Sequence, residues 1–130
     1  MPTRPLSPHL SVYKFKYTLT TSILNRCGGL ILSAGLLLLI YWLLAIAAGA
    51  AALERAAQLL GSLPAKLIYA LLIAAFSYHL LAGLRHLLWD TGRYLERAQS
   101  QRSAWLVVLL SIVLMLLLGY CAWQAGARTS

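Results

Sequence analysis

The sequence predicts an all-α integral membrane protein with three transmembrane helices. Of its 130 residues, 61% are hydrophobic and only 11% are charged, whereas an ordinary globular domain has about 25% charged residues. A water-soluble chain this short has too large a surface for its volume to bury so much apolar area. The composition therefore excludes a free-standing soluble enzyme, and its hydrophobicity excludes a disordered chain.

Long runs without a charged residue supply the predicted spans. These charge-free runs cover residues 27–53, 67–84 and 103–127. A helix needs about 20 apolar residues to cross a bilayer, and a helix satisfies its own backbone polar groups there. We place the spans at about residues 25–48, 65–89 and 104–124. They form a transmembrane domain of residues 22–130, after an N-terminal segment of residues 1–21.

The basic residues lie mostly on one side of this domain. The chain has 11 Lys and Arg against 3 Asp and Glu, a formal charge of +8. Three crossings put the N-terminal segment and the second connection on the same side. That side holds eight of the 11 basic residues: Arg4, Lys14, Lys16, Arg26, Arg85, Arg93, Arg97 and Arg102. The positive-inside rule predicts a cytoplasmic N-terminus and a periplasmic C-terminus. The charge is explained without a nucleic-acid partner, and the absence of a recognisable signal or transit peptide favours a bacterial inner membrane.

The second span carries one polar helix face. At 100° per residue, the residues within about 40° of this face are His79, Gly83, His86 and Asp90. An imidazole inside a membrane needs a partner, and haem iron is one candidate for His79. Gly83 would leave room for the macrocycle, and Arg85 and His86 would donate to its propionates. The alternative is a packed histidine that hydrogen-bonds a neighbouring helix.

A second polar face opens the first span. It comprises Ser22, Asn25, Arg26, Gly29 and Ser33. A hydroxyl, an amide and a guanidinium at one membrane edge can hold the polar head of a ligand such as a quinone. Alternatively, Arg26 extends to anionic lipid and the glycine packs helices. Tyr78 is either a hydrogen-bond partner or an ordinary packed aromatic residue.

Three sequence blocks resemble a known family. The blocks are Arg4-Pro-Leu-Ser-Pro-His9-Leu10, then Ser22-Ile-Leu-Asn25-Arg26 with Gly29, then H-x-x-x-G-x-R-H-x-x-x-D from His79 to Asp90. In this order and over nearly the whole chain, they resemble the cytochrome b subunit of succinate dehydrogenase, a membrane anchor of respiratory complex II. The resemblance implies that the three helices form half of a heterodimeric anchor bundle.

The resemblance also implies roles for individual residues. His79 matches the axial ligand of haem b, whose other ligand comes from the second anchor subunit. Arg26, Arg85 and His86 match positions near the haem propionates, and Ser22 and Arg26 match residues of the ubiquinone site. Asn25 departs from the family, which usually has His there, and an amide can donate a hydrogen bond but cannot titrate.

The implied function is electron delivery to ubiquinone. Succinate would be oxidised on a flavoprotein subunit, and electrons would pass through an iron–sulfur subunit, so this chain would not carry the succinate site. The alternatives are the anchor of a fumarate reductase, a structural anchor without haem, and a small transporter or channel subunit. The last lacks the inverted repeat and broken helices typical of transporters.

Overall fold

The computed structural model describes residues 17–92 and 97–129, with side chains for 20–92 and 102–128. The described residues form four helices and no strand. In chain order these are α1 (Tyr17–Ala47), α2 (Ala50–Leu60), α3 (Leu63–Asp90) and α4 (Arg97–Thr129). The first sequence block, and residues 93–96 of the loop expected to be cytoplasmic, lie outside the described residues.

Three of the helices are long and apolar enough to cross a membrane. Their membrane-spanning portions are Thr20–Ala47, Leu63–Asp90 and Arg102–Arg128. Their large side chains face outwards, as in a protein surrounded by lipid or by other apolar helices. Trp105 and Trp123 are 61% and 77% exposed, towards opposite ends of α4, where aromatic residues meet the membrane interfaces. The prediction of an all-α protein with three transmembrane helices is confirmed.

The connection between the first two predicted spans contains a helix, α2, that the sequence does not predict. This helix is amphipathic, with Glu54 and Arg55 exposed and Ala56 fully buried. Gly49 precedes it with φ of 96°, a left-handed conformation that an L side chain rarely adopts. The chain therefore turns sharply after α1, and α2 packs back against α1 and α3.

Helix α3 is central, since it packs against both α1 and α4. Small residues make these contacts: Ala75, Ser77, Ala82, Ala104 and Ser111 are all buried. Such residues allow membrane helices to approach closely without a hydrophobic driving force. Near one end of α3, His79 contacts α1 and Arg85 contacts α4 through hydrogen bonds. The candidate site therefore lies at this end of α3.

Candidate functional site at one end of the helix bundle

His79 is held against α1 by a hydrogen bond to the main chain. Its Nδ1 lies 3.0 Å from the carbonyl oxygen of Asn25. A carbonyl oxygen only accepts, so the contact assigns the proton to Nδ1. The lone pair of the neutral ring is then on Nε2, the arrangement in which histidine ligates a metal.

Two adjacent glycines make room for this ring. A Cβ added to Gly29 would lie 3.0 Å from Cε1 of His79, tighter than most real Cβ contacts, whereas one added to Gly28 would lie 3.5 Å from Cβ of His79. Helix α1 thus approaches the imidazole directly through Gly29. The sequence pointed to Gly29 only as part of a polar face or a helix-packing position, because nothing local indicates which side chain it faces.

A separate cavity of about 160 Å³ lies between α1, α3 and α4. Its lining includes four residues that the sequence singled out: Ser22, Tyr78, Arg85 and His86. The remaining lining residues are Thr21, Ala82, Trp89, Ala104 and Val107. Complete sites for drug-sized ligands have volumes of about 300–1,000 Å³, so this cavity fits one polar head and not a whole macrocycle.

Arg85 is the main charged group of this cavity. The residue is 8% exposed, its Nε donates to Oγ of Ser103 at 3.0 Å, and its guanidinium carbon lies 4.0 Å from the centre of the Trp89 ring. Burying an arginine is costly unless its donors and its flat face are used, and both are used here. Arg85 is therefore directed towards α4, which the sequence did not reveal.

Trp89 is a cavity residue that the sequence interpretation missed. Its ring meets that of His86 edge to face, with centroids 5.4 Å apart. Its Nε1 is buried and has no hydrogen-bond partner within the described part of the chain. A buried donor of this kind is costly unless a ligand or partner accepts from it. The available signal was its position one turn after Arg85, which puts both on one helix face.

Tyr78 joins α3 to α1 near the cavity. Its hydroxyl donates to the carbonyl oxygen of Thr21 at 3.1 Å. Of the two interpretations that the sequence left open, the structure supports the hydrogen-bond partner. Asn25 contacts His79 through its main-chain carbonyl oxygen. Its side-chain Oδ1 is buried and has no hydrogen-bond partner among the described residues.

The structure divides the predicted site residues instead of gathering them. His79 is not among the residues that line the cavity, and Arg85 lies about 120° away from it around the helix. Arg26 and Asp90 are exposed and do not line the cavity either. Nothing in the described chain comes within 4 Å of a Cβ built on Gly83, so this face of α3 is open there.

A larger cavity, of about 530 Å³, lies elsewhere, between α1, α2 and α3. Its lining is apolar apart from the rings of Trp42 and Tyr69, and it contains none of the candidate residues. The polar chemistry of the described chain is thus concentrated in the smaller cavity and at His79.

Comparisons with known proteins place the chain in a family of transmembrane subunits. Residues 1–118 match the family model described as succinate dehydrogenase/fumarate reductase transmembrane subunit. The chain belongs to this family. It is 40% identical, over 114 residues, to the succinate dehydrogenase cytochrome b556 subunit of Paracoccus denitrificans, with 88% of each chain covered.

More distant relatives carry similar names. The cytochrome b556 subunit of Rickettsia felis is 36% identical over 115 residues, with 88% of this chain and 90% of the relative covered. The cytochrome b560 subunit of Reclinomonas americana is 34% identical over 119 residues, with 88% and 83% covered. These relatives support a succinate dehydrogenase anchor over the fumarate reductase alternative, and they make this chain a multi-pass membrane subunit of an enzyme complex.

Proposed function

We propose that this chain is the haem b-binding membrane anchor of succinate dehydrogenase and helps to deliver electrons to ubiquinone. The observation that carries the proposal is the orientation of His79, whose Nδ1 bonds the main chain while Nε2 remains for a metal. The match to succinate dehydrogenase membrane subunits supports the assignment to this enzyme complex. The proposed partners are a second anchor subunit, which would supply another histidine to the haem, an iron–sulfur subunit and a flavoprotein that would carry the succinate site.

The residues of the chain fit a haem. His79 supplies an imidazole at the membrane-embedded part of α3, and the open face at Gly83 leaves space beside it. When bound, the haem supplies a one-electron carrier. Arg26, Arg85 and His86 act as donors towards its propionates in this proposal, because charge-assisted hydrogen bonds are the strong ones for a carboxylate.

The smaller cavity is our proposed contribution to the ubiquinone site. Ser22 lines it from α1, and the guanidinium of Arg85 supplies fixed positive charge there. Donors and positive charge aimed at a carbonyl oxygen favour its reduction, because they stabilise negative charge as it develops. Arg26 is exposed one turn after Ser22, and in this proposal its guanidinium contacts the quinone from outside the smaller cavity.

The charge distribution supports a cytoplasmic N-terminus and a C-terminus on the opposite side of the membrane, which in this proposal is a bacterial inner membrane. Helix α2 would then lie at the periplasmic interface, with its apolar side on the bundle and its polar side towards headgroups and water.

The deciding experiment is a reduced-minus-oxidised spectrum of the assembled complex with His79→Ala. We expect the haem b bands to disappear or change to those of a different ligand set. His86→Ala removes a proposed propionate donor but no proposed ligand, so it should shift the haem b bands without abolishing them. Leu71→Ala is the matched control, because Leu71 lies on the same helix, is exposed and is not a candidate site residue. It should keep the wild-type spectrum. An unaltered spectrum in His79→Ala excludes this residue as ligand, and a wild-type complex without haem supports the purely structural anchor.

The quinone role has its own test. Arg26→Leu should impair ubiquinone reduction while it leaves succinate oxidation with a soluble dye unchanged. Equal loss of both activities would contradict the role, because it would indicate damage to the assembly and not to the quinone site.

A further inference from the structure

We propose that the segment of α1 from Asn25 to Gly29 is a preformed support that fixes the tautomer and position of His79 before haem binds. The proposal rests on the proposed function, because it takes His79 as the ligand. It adds that Gly29 and the main-chain oxygen of Asn25 are positioning groups, which act on the metal only through the imidazole.

The first step is the hydrogen bond itself. In an α-helix the carbonyl oxygen of residue 25 already accepts the N–H of residue 29, and its second lone pair can accept from another donor. Nδ1 of His79 lies 3.0 Å from this oxygen. Since the acceptor is main chain, the bond does not depend on the side chain at position 25. The replacement of the family's usual His by Asn25 therefore leaves this support intact.

The second step is steric. A hydrogen bond from a side chain to the main chain of a neighbouring helix requires close approach of the two. Gly29 allows this approach, because a Cβ there would meet Cε1 of His79 at 3.0 Å and Nδ1 at 3.5 Å. Gly28 leaves more space, since its Cβ would meet Cβ of His79 and the carbonyl oxygen of Ala75 at 3.5 Å and Nδ1 at 3.9 Å, all ordinary contact distances.

The third step is the consequence for the metal. A hydrogen bond to the second ring nitrogen holds a histidine ligand in one tautomer and orientation and raises its basicity. Loss of such outer partners typically costs about 10-fold to 100-fold in metal affinity. The support should therefore govern how firmly the haem is held and the plane in which the His79 ring meets it.

Adjacent glycines offer a matched pair of variants for the test. In the assembled complex, Gly29→Ala should lose haem to apomyoglobin about ten times faster than the wild type. The electron paramagnetic resonance signal of the oxidised haem should also shift, because the ring plane rotates. Gly28→Ala should behave as the wild type in both measurements. Gly35→Ala is a second control, since its Cβ would meet the Leu72 side chain between the same two helices but away from His79.

The outcomes separate this inference from the proposed function. If His79→Ala abolishes the haem spectrum while Gly29→Ala equals Gly28→Ala, the ligand stands and the support is wrong. If all three glycine variants lose haem equally, general helix packing explains the effect, which also overturns the support. If His79→Ala retains a wild-type spectrum, the proposed ligand itself fails.

Should the Gly29→Ala complex not assemble, the assembled wild-type complex decides. Solid-state nuclear magnetic resonance of the histidine-labelled complex, with the signals of His79 assigned by comparison with His79→Ala, reports whether its Nδ1–H donates a hydrogen bond. A hydrogen-bonded Nδ1–H supports the proposal, and an Nδ1–H without an acceptor overturns it while His79 remains the ligand.

Discussion

Arg85 and Trp89 lie one turn apart on α3, and the guanidinium carbon of Arg85 is 4.0 Å from the centre of the Trp89 ring. A second contact fixes the same guanidinium, through Nε to the hydroxyl of Ser103 on α4. Arg85 therefore links α3 to α4 at the edge of the smaller cavity. The strength of this link depends on the guanidinium, a planar group that can stack on a ring and donate a hydrogen bond at the same time.

Arg85→Lys should destabilise the assembled complex although it keeps the charge. Lysine loses the Nε–H bond, worth about 1 kcal/mol, and the stacked contact, worth about 0.5–2 kcal/mol. Thermal denaturation followed by circular dichroism measures the loss. Arg102→Lys is the control, because Arg102 is exposed on α4. Equal melting temperatures for the two variants would show that the stacked geometry contributes nothing.

Trp89→Phe separates a ligand donor from a packed ring. The phenyl ring still faces Arg85 and His86, but the buried Nε1 donor is removed. If a quinone or propionate accepts from this donor, its loss should lower the affected step about tenfold, the equivalent of about 1.4 kcal/mol.

The two interpretations of the buried donor predict different results for Trp89→Phe. If a ligand accepts from the donor, we expect slower ubiquinone reduction or faster haem loss, with succinate–dye activity unchanged. If the donor has no acceptor in the complex, the variant should instead melt higher with wild-type kinetics, because an unsatisfied buried group has been removed. Trp123→Phe, at the exposed far end of α4, controls for loss of an indole.

Tyr78→Phe should weaken the contact between α3 and α1. The hydroxyl bond to the carbonyl oxygen of Thr21 is 3.1 Å long, and its loss should cost about 1 kcal/mol in the free energy of unfolding. Thermal melting of the complex measures this cost. Tyr41→Phe, on the exposed outer part of α1, should melt as the wild type. A Tyr78→Phe complex that melts with it would assign the tyrosine to packing alone.

The sequence was sufficient for the three spans because charge-free runs of Leu, Ile and Ala are visible without any partner. Helix α2 was missed because its polar residues, Glu54 and Arg55, interrupt the apolar run. They look like a loop until the apolar side of α2, including Ala56, is seen against the bundle.

The candidate site was predicted residue by residue but not in its arrangement. The helix periodicity predicts a shared face of α3 for His79, Gly83, His86 and Asp90. The periodicity of α3 does not show which sides of α1 and α4 face it. Those sides place the main-chain oxygen of Asn25 beside His79 and the hydroxyl of Ser103 beside Arg85. Main-chain acceptors leave no trace in residue identity, so contacts of this kind are found only in the structure.

The orientation in the membrane can be tested with single cysteines after Cys27 and Cys121 are replaced by serine. Gln58→Cys, exposed on α2, should react in intact spheroplasts with a maleimide that cannot cross the membrane, because the positive-inside rule puts α2 in the periplasm. Thr91→Cys, exposed just after α3, should be protected until the membrane is permeabilised. The reverse pattern would invert the topology, and it would move Arg85 and the smaller cavity to the side away from the soluble subunits, which would contradict the proposed route of electrons to ubiquinone.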